Sequence, residues 1–144
     1  MNYEELIRQA MKAREAAYAP YSHWKVGAAL LCADGKIYLG CNIENSGFTA
    51  TICAERTAIF KAVSEGERDF KAIAIVGGSE KDGPTGYCAP CGVCRQVMSE
   101  FCDPDRFAVI NAYSEKNYKV FKLRDMLPEA RFVAFDDGYG FSGE

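Results

Sequence analysis

The stretch Val26-Gly27-Ala28-Ala29-Leu30-Leu31-Cys32-Ala33-Asp34-Gly35-Lys36-Ile37-Tyr38-Leu39-Gly40-Cys41 sets the fold. Two apolar runs, Val26 to Cys32 and Ile37 to Cys41, flank Asp34-Gly35. An Asp-Gly pair is favoured where both residues of a tight turn need positive φ, so the stretch reads as a β-hairpin. Upstream, residues 3–18 place Leu6, Ile7, Ala10, Met11, Ala13, Ala17 and Tyr18 at helical spacing, and Pro20 stops that helix. Downstream, residues 42–51 are polar and loop-like. Residues 52–64 return to a helical pattern, with Ala54, Ala58, Ile59, Ala62 and Val63 suited to one buried face. Ala72 to Val76 reads as a buried strand ended by Gly77-Gly78, and a long loop runs from Ser79 to Pro90. A third helix covers 91–101, with Pro104 beyond its end. Strands at 107–112 and 118–121 follow, then a helical turn at 123–127 closed by Pro128 and a Gly-rich, irregular end. Strands alternating with helices predict a three-layer α/β domain.

The chain has 144 residues, 49% hydrophobic and 26% charged. That is enough apolar material for one core, so residues 1–144 are expected to form a single domain. The net charge is −3, with 17 basic side chains against 20 acidic ones. A protein that grips a phosphate backbone normally carries a basic face, so no nucleic-acid partner is expected. No window approaches the roughly 18 apolar residues of a membrane span. The acidic start Met1-Asn2-Tyr3-Glu4-Glu5 lacks the basic and apolar regions of a secretory signal. A cytoplasmic location without a membrane partner is therefore expected. Seven cysteines in a reducing compartment point to metal rather than to disulfides.

The chemistry is concentrated in Cys53-Ala54-Glu55-Arg56 and Pro90-Cys91-Gly92-Val93-Cys94-Arg95. Each lies where a loop hands over to a predicted helix. Cys91 and Cys94 are about 60° apart around an ideal helix, so both thiols can point to one side of a first turn. Pro90 suits a helix start because it has no N–H to leave unpaired. Helix N-termini favour the thiolate, the form that binds metal. With Cys53 as third ligand, the set matches a catalytic zinc site, which keeps one position open, rather than a structural site closed by four ligands. Glu55 is two residues from Cys53, about 200° around a helix, so both reach the metal region only if Cys53 sits at the helix entrance. Three thiolates around Zn²⁺ leave a net charge near −1, which Arg56 or Arg95 could offset by hydrogen bonding to the sulfurs. Arg56 is favoured.

These residues resemble the small cytidine deaminases of pyrimidine salvage. The resemblance extends to Tyr21-Ser22-His23-Trp24-Lys25-Val26-Gly27-Ala28-Ala29-Leu30, to Cys41-Asn42-Ile43-Glu44-Asn45, and to the two metal motifs, over roughly residues 4–128. It implies a three-layer α/β/α domain around a mixed five-stranded sheet. It also implies one Zn²⁺ per chain on Cys53, Cys91 and Cys94, and deamination of free cytidine and deoxycytidine by a zinc-bound hydroxide attacking C4. Glu55 would shuttle the proton, Asn42 and Glu44 would hold the ribose, and the Ala54 backbone would face the base. Trp24 stands where the family commonly has Phe, a larger aromatic wall. Phe132 is the candidate for an aromatic supplied by a neighbouring subunit, and Phe48 for a second, within an implied homotetramer.

Other readings compete. A related nucleoside, such as a cytosine nucleoside antibiotic, would use the same metal chemistry. A polynucleotide editor usually has His where Cys53 stands, and a nucleotide enzyme needs a phosphate-binding cluster that the sequence lacks. A non-catalytic zinc or iron–sulfur module is the alternative of another class. The bacterial cluster motif Cys-x2-Cys-x2-Cys-x3-Cys-Pro is not matched here, because Cys102 lies eight residues after Cys94 and Asp103 separates it from Pro104. Cys88 is read as a spare thiol, and Cys32, Cys41 and Cys102 as ordinary buried residues. His23, the single histidine, is given a structural role.

Overall fold

The computed structural model describes residues 2–128, 135–136 and 140–141. Helix α1 (Tyr3–Arg14) opens with Asn2 as N-cap, its side chain accepting the Glu4 N–H at 3.0 Å. It stops at Arg14 rather than at residue 18. Tyr18 instead bridges the loop after the hairpin: its N–H donates to Asn42 O at 3.0 Å and its carbonyl accepts from Glu44 N at 2.8 Å. Tertiary pairing overrides a helical pattern that local periodicity would have continued.

Strands β1 (Trp24–Cys32) and β2 (Ile37–Cys41) form the expected antiparallel hairpin. The turn differs in kind. Gly35 has φ 92° and Asp34 is not in the left-handed region. Gly35 N donates to Cys32 O at 3.0 Å and Cys32 N to Lys36 O at 2.9 Å, which makes a three-residue loop with glycine at its left-handed position. The Asp34 side chain accepts the Lys36 N–H at 3.0 Å. That bond closes the loop without positive φ at Asp34.

The sheet order is β2-β1-β3-β4-β5, with β3 (Phe70–Ser79), β4 (Ala108–Ala112) and β5 (Tyr118–Lys122). Only β3 and β4 run parallel; the other neighbours are antiparallel, so the five-stranded sheet is mixed. Alternate side chains supply its two faces. Ala28, Leu30, Ile73, Ile75 and Val109 pack under α2 (Ala54–Ser64), α3 (Gly92–Phe101) and the short α4 (Leu123–Met126). Ala29, Leu31, Ala72, Ala74 and Ile110 pack against Leu6, Ile7 and Ala10 of α1. The result is α/β/α layering, and coverage on both sides explains why Ala72 to Val76 is apolar throughout. In the Gly-rich end, read as irregular, Phe135–Asp136 (β6) and Gly140–Phe141 (β7) pair antiparallel.

Two contacts fix helices to the sheet near the start of β1. A Cβ on Gly40 would lie 2.3 Å from Ala54 O and 2.5 Å from Ala58 N, so glycine lets β2 and α2 touch backbone to backbone. On the other face, Arg14 is buried. Its Nε donates to Lys25 O at 3.0 Å, and its Nη2 to Gly78 O and Ser79 O at 3.0 and 2.7 Å. The last side chain of α1 thereby ties the beginning of β1 to the end of β3.

Candidate active site

Cys53 and Cys91 are the N-cap residues of α2 and α3, both extended, with φ/ψ of −80°/156° and −70°/170°. Neither sulfur caps its own helix, so both are free to face outward from the helix starts. The extended backbone also removes the angular conflict between Cys53 and Glu55, because Cys53 does not yet follow the helical rotation. Cys53 Sγ lies 3.7 Å from Cys91 Sγ, and Cys91 Sγ lies 3.4 Å from Cys94 Sγ. All three ligand atoms fall within 4.8 Å of one another. Zn–S bonds of about 2.3 Å in a tetrahedron put sulfurs about 3.8 Å apart, so the observed spacing fits a tetrahedral zinc.

Cys53 is pulled down to about 5 by a hydrogen bond from the Cys94 thiol and by Arg56, against the opposing effect of burial. Cys94 is pushed up, first by its interaction with the Cys53 sulfur and then by burial. Arg56 Nη2 donates to Cys53 Sγ at 3.3 Å, while its buried Nε has no partner among the described residues. Arg95 does something else: its Nε donates to Pro90 O and its Nη1 to Met126 O, both at 2.8 Å. It holds the entrance of α3 against α4 and makes no bond to sulfur. Glu55 is 4% exposed, and burial pushes its carboxyl up to about 7, with the Cys53 charge adding to the effect.

Trp24, Asn42, Cys53, Ala54, Glu55 and Cys91 line one cavity of about 220 Å³. Asn42 Nδ2 donates to Trp24 O and its Oδ1 accepts from Val26 N, both at 2.8 Å. The amide thus splints the start of β1 and keeps one further N–H and one lone pair for a ligand. Glu44 and Phe48 line an adjoining hollow of about 410 Å³, joined to the first through Thr51, which borders both. Glu44 Oε1 accepts the N–H groups of Tyr21 and Ser22 at 3.0 and 3.1 Å, and Oε2 accepts the Ser22 hydroxyl. The Ser22 hydroxyl, followed by these amides, holds the Glu44 carboxyl below its usual range. Phe48 is 87% exposed on a 3-10 turn, and Phe132 lies outside the described residues.

Cys88 is half-buried and lines the Glu55 cavity, outside the three-sulfur cluster; burial pushes its thiol up to about 11. His23 lies beside Glu80, with Nδ1 3.3 Å from Oε2. Cys32 and Cys102 are buried and Cys41 is half-buried. Sequence reasoning missed Thr51, which joins the two hollows, and Ser22, which Glu44 holds. Ser22 was legible only as part of the segment Tyr21 to Leu30, and Thr51 carried no signal of its own.

The site is therefore one for a thiolate-bound divalent ion beside a buried acid, on a mixed sheet whose ligand helices share a face. A family model described as the cytidine and deoxycytidylate deaminase zinc-binding region matches residues 1–111. The chain is 60% identical over 103 residues to a cytidine deaminase of Sporosarcina psychrophila, covering 72% of each protein. It is 43% identical over 140 residues to a probable cytidine deaminase of Dictyostelium discoideum, covering 90% of this chain and 92% of that one. The crystal structure of a cytidine deaminase from Burkholderia pseudomallei superposes with a TM-score of 0.82 at 46% identity, over 91% of this chain and all (100%) of that one. The chain belongs to the cytidine deaminases of the cytidine and deoxycytidylate deaminase superfamily.

Proposed function

We propose that this protein hydrolyses the 4-amino group of free cytidine and deoxycytidine, with water as co-substrate and uridine or deoxyuridine and ammonia as products. One observation carries the reading: three sulfurs from two helix entrances converge beside the buried carboxyl of Glu55, and Cys53, Cys91 and Glu55 line one cavity. One Zn²⁺ per chain would be held by Cys53, Cys91 and Cys94 and would supply the Lewis acidity that activates the attacking water. Glu55 takes the proton of the attacking water and delivers it to N3 of the ring, then helps pass a proton to the departing amine. Its burial among sulfurs keeps it from pairing with bulk water or with a surface cation. Arg56 draws charge from the Cys53 sulfur, offsetting the excess negative charge of three thiolates.

Asn42 offers its remaining hydrogen-bonding positions to the ribose, and Glu44 its remaining lone pair. The Ala54 backbone faces the polar edge of the base, and Trp24 forms an aromatic wall. The exposure of Phe48 supports its reach into a neighbouring subunit of a homotetramer. Residues 1–144 act as one domain in the cytoplasm, in pyrimidine salvage. No described helix is long and apolar enough to cross a membrane.

The test is the ultraviolet loss of cytidine on incubation with the zinc-loaded protein, with cytosine and cytidine monophosphate as controls. Turnover of the nucleoside with little of either control supports the reading. Turnover of a cytosine nucleoside antibiotic in place of cytidine would move the assignment to that substrate, and no turnover of any of them would overturn it.

A further inference from the structure

His23 is the one non-glycine residue with positive φ, 57°, among the described residues. Such a conformation in a non-glycine residue persists only where its surroundings hold it, and it tends to collect at functional sites. The holding groups are all visible. His23 N donates to Ala19 O at 3.0 Å, and His23 O accepts from Glu80 N at 2.7 Å. Its ring stands against the Glu80 carboxylate, which also lies 3.6 Å from Lys25 Nζ.

The residues on either side face the proposed nucleoside pocket. Tyr21 and Ser22 give their N–H groups to Glu44, and the Ser22 hydroxyl both donates to Glu44 and accepts the Trp24 N–H at 3.0 Å. Trp24 begins β1 and walls the cavity of Glu55. The left-handed residue thus sits between the carboxylate assigned to the sugar and the aromatic assigned to the base.

We infer that His23 is a positioning residue: its left-handed backbone turns the chain so that Ser22 reaches Glu44 while Trp24 enters β1 facing the substrate cavity. Backbone geometry, rather than imidazole chemistry, is the property the site uses. The inference rests on the deaminase reading only for its kinetic consequence. The placement of Trp24 can be read without substrate, because Trp24 is the chain's single tryptophan and its emission reports that wall alone.

The experiment compares His23→Val, His23→Ala, His23→Asn and His23→Gly in the zinc-loaded enzyme. Val strongly disfavours the left-handed region, Ala disfavours it less, and Asn and Gly adopt it readily. In His23→Val the substrate-free tryptophan emission is expected to shift. KM for cytidine should rise by about tenfold with kcat within about twofold, the effect of losing one strained but held conformation. His23→Ala should lie between, and His23→Asn and His23→Gly should restore both readouts. If His23→Val does not fold, the contrast of Ala with Asn and Gly decides. Unchanged emission and KM in Val and Ala would overturn the inference, as would Asn and Gly being as impaired as Ala. If the native enzyme has no cytidine activity, the function proposed above fails, while the emission series still decides the placement of Trp24.

Discussion

Glu55 shares its hollow with sulfur and an aromatic ring, so the strength of its carboxyl is set by burial more than by any partner. Glu55→Gln keeps the shape and removes the proton carrier. It should retain one zinc per chain by metal analysis while kcat falls by about 10²–10⁴-fold; near-native turnover would remove Glu55 from the mechanism. Cys53→Ala, Cys91→Ala and Cys94→Ala should each lose the metal, whereas Cys88→Ala should keep it, because Cys88 stands apart from the cluster. A metal-free Cys88→Ala protein would contradict that ligand set. Arg56→Ala removes the hydrogen bond to Cys53 Sγ, and zinc affinity measured against a chelator should fall by about 10–100-fold. At this scale the thiols and the acid were legible because ligand chemistry restricts both residue type and spacing. The left-handed backbone of His23 and the hydrogen bond from the Ser22 hydroxyl were not, since the first leans on Glu80 and the second on Glu44, more than 20 residues away in the chain.

Helix α2 carries Cys53 at its entrance and Glu55 in its first turn, so its seat on β2 sets where both groups stand. Gly40→Ala would drive a methyl group into the backbone of Ala54 and Ala58. It should destabilise the fold by about 1–3 kcal/mol in denaturant titration and weaken zinc binding as well. Gly35→Ala is the control: nothing lies within 4 Å of the added carbon, and the cost is about 1–2 kcal/mol for the left-handed backbone alone. Its zinc content should stay native, and zinc loss there would break the proposed link between helix seating and metal. The elements themselves were readable from apolar periodicity, and their ends were not. The α1 pattern continues through Ala17 and Tyr18, yet the helix gives way at Arg14 because Tyr18 pairs with Asn42 and Glu44. The Asp-Gly signal located the hairpin correctly and misjudged its loop, because the Asp34 side chain offered a second way to close it.

For the whole molecule, the alternation of strand and helix was enough to foresee a layered sheet, and family resemblance supplied its mixed five-stranded character, while the placing of the one parallel pair at β3–β4 came only with the structure. Assembly belongs to this scale as well. Sedimentation equilibrium of the zinc-loaded protein should give a tetramer. Phe48→Ser should weaken both association and turnover if the ring completes a neighbour's pocket, and an active Phe48→Ser tetramer with native KM would show that it does not. The clasp made by Arg14 has a further consequence. Helix α1 lies on the sheet face opposite α2 and α3, yet its terminal guanidinium gathers three carbonyls at the start of β1, whose first residue walls the Glu55 cavity, and at the end of β3. Loss of that guanidinium would therefore act as a remote lever on the aromatic wall at Trp24 without touching any residue that lines the cavity.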